Sequence, residues 1–175
     1  MPTHFALLRG INVGGNILKM DHLKEIWLEL GFKNARTCLQ SGNVVFDATK
    51  PSAEKIQRRL ISETRLPVTV ILRTTAEMAQ IVAGNPFLPD KADDASHLHV
   101  TFLKSEPAEG DLQKLGQIRT GDDRLKAIGK EIYLYCPGGY GRTRLSNNAM
   151  ERALGIKATT RNWNTTRKLA EMASA

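Results

Sequence analysis

The feature that most constrains this chain is the order in which β-prone runs and amphipathic helical stretches follow one another. Thr3 to Gly10 is mostly apolar and fits a buried strand. Leu23, Ile26, Trp27 and Leu30 then recur at i, i+3, i+4 and i+7, which gives a helix one apolar face and puts Trp27 in the core. Asp21 is placed to cap that helix. Gly31 is placed to end it in the left-handed conformation, with Phe32 covering the end. Residues 35–40 and 43–47 read as two short strands turned about Ser41-Gly42. A second helix starts near Ser52 and carries Ala53, Ile56 and Leu60 inward. Pro67 stops it, and Val68 to Leu72 is a β-branched strand.

Strand, helix, strand, strand, helix, strand is the split βαβ or ferredoxin-like order. Thr74 and Glu77 have the spacing of a capping box for one further helix, with Met78, Ile81 and Val82 as its apolar face. Residues 85–96, with two prolines and three aspartates, read as a connection. The order then repeats without sequence identity between the halves. His97 to Lys104 is a strand and 108–118 a weaker helix. Arg124 to Ile128 and Glu131 to Cys136 form a hairpin about Gly129-Lys130. Ser146 can cap a helix carrying Ala149, Met150, Ala153 and Leu154, which Gly155 closes. Residues 158–161 form a short strand, and Asn162 can cap a last helix that buries Leu169 and Met172. The expected fold is α+β, with two ferredoxin-like (βαββαβ) units and additional helices after each. The expected division is 1–84, a connection at 85–96, and 97–175.

With 41% hydrophobic and 25% charged residues among 175, the composition is that of a soluble globular protein. No apolar run approaches the roughly 20 residues that span a bilayer, and no secretory leader is visible, so a cytoplasmic protein without membrane partners is expected. The two cysteines, Cys38 and Cys136, fall in expected strands and read as buried reduced thiols. The net charge of +7 is uneven, for residues 111–175 hold 12 basic and 6 acidic side chains. Such a basic third attracts phosphate-bearing partners; the plain alternative is a solvated surface.

Three segments carry a resemblance. Leu8-Arg9-Gly10-Ile11-Asn12-Val13-Gly14-Gly15, with Met20, Leu23, Gly31-Phe32 and Ser41 to Phe46, looks like the N-terminal signature of the bacterial "domain of unknown function 1697" family. Gly141-Arg142-Thr143-Arg144-Leu145-Ser146 resembles that family's second motif, and Thr160-Arg161-Asn162-Trp163-Asn164-Thr165 its third. The resemblance implies two ferredoxin-like halves and no particular activity.

The glycine-rich stretch 10–16 is not a P-loop, since Gly15 is followed by Asn16, Ile17 and Leu18 rather than lysine and a hydroxyl residue. Nor do Gly10, Gly14 and Gly15 have dinucleotide-binding spacing. Arg9, Asn12, Gly14 and Gly15, with Ser41 and Asn43 from the neighbouring turn, can still meet a phosphate or carboxylate. A connector whose polar groups satisfy local backbone is the alternative. Arg142 and Arg144 precede the Ser146 cap, and Arg161 and Asn162 precede the last helix, so both repeat the chemistry of arginine at a helix start. The leading expectation is therefore an anionic, phosphate-bearing ligand, nucleotide or RNA, at a pocket where Arg9, Arg142 and Arg161 meet.

A second expectation assigns His97, His99, Tyr133 and Tyr135 to one exposed sheet face suited to stacking RNA bases, if Leu98, Val100, Phe102, Ile132 and Leu134 face the helices. Burial of that face is the alternative. The runner-up to anion binding as a function is a small-molecule enzyme using the same anion pocket, and a structural or interaction module comes third. His4, His22, His97 and His99 are too scattered for a metal set, no serine or cysteine lies in a nucleophile motif, and Asp122-Asp123 reads as a turn. No cofactor is expected.

Overall fold

The structure, a computed structural model, describes residues 1–11, 18–38, 42–88 and 92–173. It comprises two compact units, Met1–Ala79 with Leu169–Ala175, and Gln80–Lys168. The first holds β1 (Thr3–Arg9), α1 (Met20–Glu29), β2 (Lys33–Thr37), β3 (Asn43–Asp47), α2 (Ala53–Thr64), β4 (Thr69–Thr74) and the start of α3 (Thr75–Ala83). Its four strands form one antiparallel sheet in the order β2-β3-β1-β4. The second holds β5 (Leu98–Leu103), α4 (Glu109–Gly116), β6 (Arg124–Ile128), β7 (Glu131–Tyr135), α5 (Asn147–Leu154), β8 (Ala158–Asn162) and most of α6 (Trp163–Met172). Its sheet repeats that order as β6-β7-β5-β8.

Alternation along β1 decides its two faces. Ala6 and Leu8 join Val44, Phe46 and Val70 in a core with Leu23, Ile26 and Trp27 of α1 and Ile56 and Leu60 of α2. Phe5 and Leu7, on the opposite face with Val45 and Ile71, are also fully buried. Burial on both faces is why β1 reads as a continuous apolar run rather than an alternating one. In the second unit Ile132, Leu134 and Leu103 pack with Leu115 of α4 and with Met150 and Leu154 of α5.

The duplication extends to register. Phe5 stands opposite Val45 and Arg73, and Val100 stands opposite Tyr133 and Arg161. Each arginine is buried, one residue ahead of a helix cap. Each also donates to the carbonyl of the residue before it, Arg73 to Leu72 at 2.9 Å and Arg161 to Thr160 at 3.1 Å. The caps themselves follow the sequence. The Thr74 hydroxyl accepts from Glu77 N–H at 3.1 Å, while the Glu77 carboxylate accepts from Thr74 N–H at 2.8 Å. Asn162 Oδ1 accepts from Thr165 N–H at 2.8 Å, and Ser52 and Ser146 cap α2 and α5.

Three sequence expectations need correction. Asp21 is not a cap: α1 begins at Met20 behind Lys19, whose side chain makes no cap bond, and Asp21 sits in the first turn, where its charge suits the helix dipole. β2 begins two residues earlier than expected, because Asn34 takes a φ of 53° and the β2–β3 register shifts between Lys33 and Arg36. The turn residues Leu39 to Ser41 lie outside the described residues. The unit boundary falls after Ala79 rather than at 84, and the chain's last residues return to the first unit. Two hydrogen bonds show why: Tyr133 OH donates to the Ile81 carbonyl at 3.1 Å, and Arg36 Nη1 donates to the Met172 carbonyl at 3.0 Å.

Asp47 ties the edge of the first sheet together, accepting from Asn34 Nδ2 and Thr3 Oγ1, each at 2.7 Å. These bonds, Asn34 first, hold its carboxyl below the usual carboxylate range. A folded pKa below the unfolded one stabilises the protein above pH about 4, and that stability disappears as pH falls through the folded value. Thr3→Val, which deletes one donor at nearly constant shape, is expected to lower the urea midpoint at pH 7, and the gap to wild type should close as pH falls through the folded value of Asp47. At Gly42, φ is 76° and an added Cβ would lie 2.6 Å from Ile11 Cγ2. Gly42→Ala is therefore expected to cost on the order of 1–3 kcal/mol in denaturant unfolding.

Candidate functional site

The residues expected to bind in the first unit divide sharply. Asn12, Gly14, Gly15 and Ser41 lie outside the described residues. Arg9 is the last residue of β1, half-buried and opposite Thr69. Asn43 is fully buried, and its Nδ2 donates to the Cys38 carbonyl at 3.1 Å. Its own carbonyl accepts from Cys38 N–H at 3.0 Å, and the Gly42 carbonyl accepts from Leu8 N–H at 2.9 Å. Asn43 is thus bonded to Cys38 through both its side chain and its backbone. Gly10 has a φ of 84° and passes so near Pro67 that an added Cβ would lie 3.3 Å from its carbonyl oxygen.

In the second unit a loop with built walls connects β7 to α5. It turns through Gly139, at a φ of 92°, into a short 3-10 helix over Tyr140–Arg142. The Tyr140 ring stacks on His99 with centroids 4.6 Å apart, and its hydroxyl accepts from Asn147 N–H at 3.0 Å. The Asn147 side chain donates to the Ala158 carbonyl at 2.9 Å and accepts from the Thr160 hydroxyl at 3.0 Å. Thr160 also meets the Thr101 hydroxyl at 2.8 Å. The Thr143 hydroxyl donates to the Asp123 carboxylate at 2.6 Å and accepts from Leu145 N–H at 3.0 Å. Leu145 is buried in the core below, and Ser146 Oγ accepts from Ala149 N–H at 3.2 Å. Segments 141–146 and 160–165 are therefore bridged through Asn147. Sequence reasoning missed Asn147, because an asparagine behind a capping serine has no distinctive spacing.

Arg142 and Arg144 face outward from this loop. Both are exposed, and among the described residues neither guanidinium forms an ion pair or hydrogen bond. Arg161 is elsewhere. It stands opposite Val100, whereas His99 stands opposite Asn162, so the Arg161 side chain leaves the sheet on the face away from His99 and Tyr140. There it donates to the Thr159 hydroxyl and the Thr160 carbonyl, and burial pulls its pKa down to about 10. The expected convergence of Arg142 and Arg144 with Arg161 is thus corrected: the second sheet lies between them. The side-chain oxygen of Asn162 is occupied as a helix cap. Arg9 belongs to the other unit.

The expected stacking face is corrected for the same reason. Directly opposed residues of an antiparallel pair share a face. His99 is opposite Leu134, while Leu98 and Val100 are opposite Tyr135 and Tyr133, so His99 lies with the helix-side core and the tyrosines on the other face. His97 ends a 3-10 helix ahead of β5. Desolvation lowers the pKa of His99, with the His97 backbone offsetting part of the effect. Tyr133 is buried and Tyr135 lies beside Phe87, with ring centroids 6.4 Å apart. Both cysteines are buried thiols rather than a disulfide, and burial pushes Cys136 up. Among the described residues no three of His, Cys, Asp or Glu gather where a metal ion could be held, and no helix is long and apolar enough to cross a membrane.

Two four-stranded antiparallel sheets, each in ferredoxin-like order with helices, define an α+β protein of two related units. The chain belongs to the family of proteins of unknown function DUF1697, whose sequence profile matches residues 1–133. The match stops short of segments 141–146 and 160–165. Among solved structures, the conserved bacterial protein SP0830 from Streptococcus pneumoniae is similar over 100% of this chain and 99% of its own, with a TM-score of 0.74 and 19% identity. That likeness is one of fold. No curated protein matches the sequence.

Burial of the Tyr133 phenol, with Glu131 adding to the effect, pushes its pKa to about 12. Because the folded value is raised, the associated stability is present below the unfolded pKa of about 10 and is lost as pH rises through the folded value. Absorbance titration at alkaline pH is expected to show a late phenolate step near the folded value. Tyr133→Phe should remove it.

Proposed function

We propose that the chain binds an anionic, phosphate-bearing ligand, RNA or nucleotide ahead of a carboxylate metabolite, and that in the second unit the Arg142–Arg144 loop makes the contact. The observation that carries this reading is two exposed, unpaired guanidinium groups on a loop whose other polar side chains are engaged. A loop already ordered loses little entropy on binding. Guanidinium groups grip phosphate oxygens through two parallel hydrogen bonds. The nearest carboxylate identified in the loop's own network, Asp123, is taken up by Thr143. The excess of basic residues in 111–175 would steer polyanions toward this unit.

Anisotropy titration of a labelled 12-nucleotide single-stranded RNA at low salt tests the reading. Arg142→Ala with Arg144→Ala is expected to weaken binding about tenfold or more with an unchanged melting temperature, since each charge-assisted contact is worth about 1.5–3 kcal/mol. Arg124→Ala with Lys126→Ala, two exposed cations on edge strand β6, is the charge-matched control and should change affinity about threefold or less. Undiminished binding in the loop variant, or an equal loss in both, would sink the proposal.

A further inference from the structure

A second group of cations lies at the far end of the helix that the arginine loop precedes. Asn148, Glu151 and Arg152 follow one another at i, i+3 and i+4 on α5 and share one side of it. With Lys157 from the connection to β8 they line an open groove of about 490 Å³. Arg152 and Lys157 are exposed, and among the described residues the side chain of neither forms an ion pair or hydrogen bond. The carboxylate in the groove, Glu151, accepts from Ala158 N–H at 2.9 Å, so it is held by the backbone of edge strand β8. Arg142 and Arg144 therefore stand before the first turn of α5, and Arg152 and Lys157 at its last turn and beyond. Eight residues of helix rise about 12 Å. One phosphate group cannot touch both cation groups; a strand with several phosphates can.

We infer that the ligand of this unit is single-stranded RNA laid along α5, with its backbone phosphates held by Arg142 and Arg144 at one end and by Arg152 and Lys157 at the other. The inference rests on the reading of the arginine loop as a phosphate contact and extends it from a point to a track. The groove amide, Asn148, is exposed and placed between the two cation groups. The competing explanation of Arg152 is that it only complements the C-terminal end of the helix dipole, which would affect stability and not ligand binding.

Salt dependence separates these. Each phosphate contact to a single strand contributes about 0.7 to the slope of log affinity against log salt. Arg152→Gln with Lys157→Gln is expected to reduce the slope for a 12-nucleotide oligouridine by about 1.4 and to weaken binding about tenfold at low salt. Competition by uridine monophosphate should be the same for wild type and variant. An unchanged slope with weaker folding assigns Arg152 to the dipole and overturns the inference, while the loop reading stands if the Arg142/Arg144 variant still loses binding. Equal or tighter binding to duplex DNA, or binding to anionic phosphatidylglycerol vesicles without RNA binding, also overturns it. Loss of slope in the groove variant alone, with the loop variant unchanged, would refute the loop reading and, with it, the track along α5.

Discussion

In each sheet the first strand in chain order, β1 or β5, is hydrogen-bonded on both sides, and the register of its two ladders decides which face each side chain takes. Opposed residues share a face and a shift of one residue exchanges the faces. Setting His99 opposite Leu134 places the histidine in the helix-side core beneath Tyr140, and sends Val100, Tyr133 and Arg161 the other way. The same register in the first unit groups Phe5 with Val45 and Arg73. The arginine loop depends on this choice, for Tyr140 has a ring to stack on only because His99 faces it. Thr160 reaches Asn147 only because Thr160 shares a face with Thr101 and not with Arg161.

The paired buried arginines are the clearest mark of duplication, and both run against simple expectations of burial. A guanidinium taken from water is costly unless its N–H groups find acceptors. In both units one acceptor is the carbonyl of the preceding residue, available because the strand ends one residue later at a helix cap. Nothing in the spacing of Arg73-Thr74 and Arg161-Asn162 marks them as equivalent until the two ladders are aligned. The halves share a strand order and register that their sequences do not.

The segments that resemble family motifs serve mainly to build the fold. Gly10 and Gly42 allow close backbone approach, Asn43 bonds to the Cys38 carbonyl, and Thr143, Ser146 and Asn147 hold the second unit's loop. Glycine and short polar side chains suit these places because they accept left-handed backbone or bond to nearby peptide groups. Only when that structural duty is subtracted do the outward arginines, Arg142 and Arg144, stand apart as residues without a role in holding the chain together.

Local chemistry was legible because it is local. The caps at Ser52, Thr74, Ser146 and Asn162, the left-handed Gly31 and Gly155, and the apolar face of Leu23, Ile26 and Trp27 each depend on residues within one or two turns. Element order followed from them, and the α+β class from the order. The start of β2 was misplaced, because the bulge at Asn34 depends on a bond to Asp47, 13 residues away. What tertiary structure alone decided was which face each alternating residue occupies. A strand with apolar residues on both faces has no sequence signal for its register; the hydrogen-bond ladder with β7 and β8 chose it. That choice removed Arg161 from the company of Arg142 and Arg144 and divided His99 from Tyr133. It left the arginine loop and the far end of α5 among the places where the second unit presents unpaired positive charge.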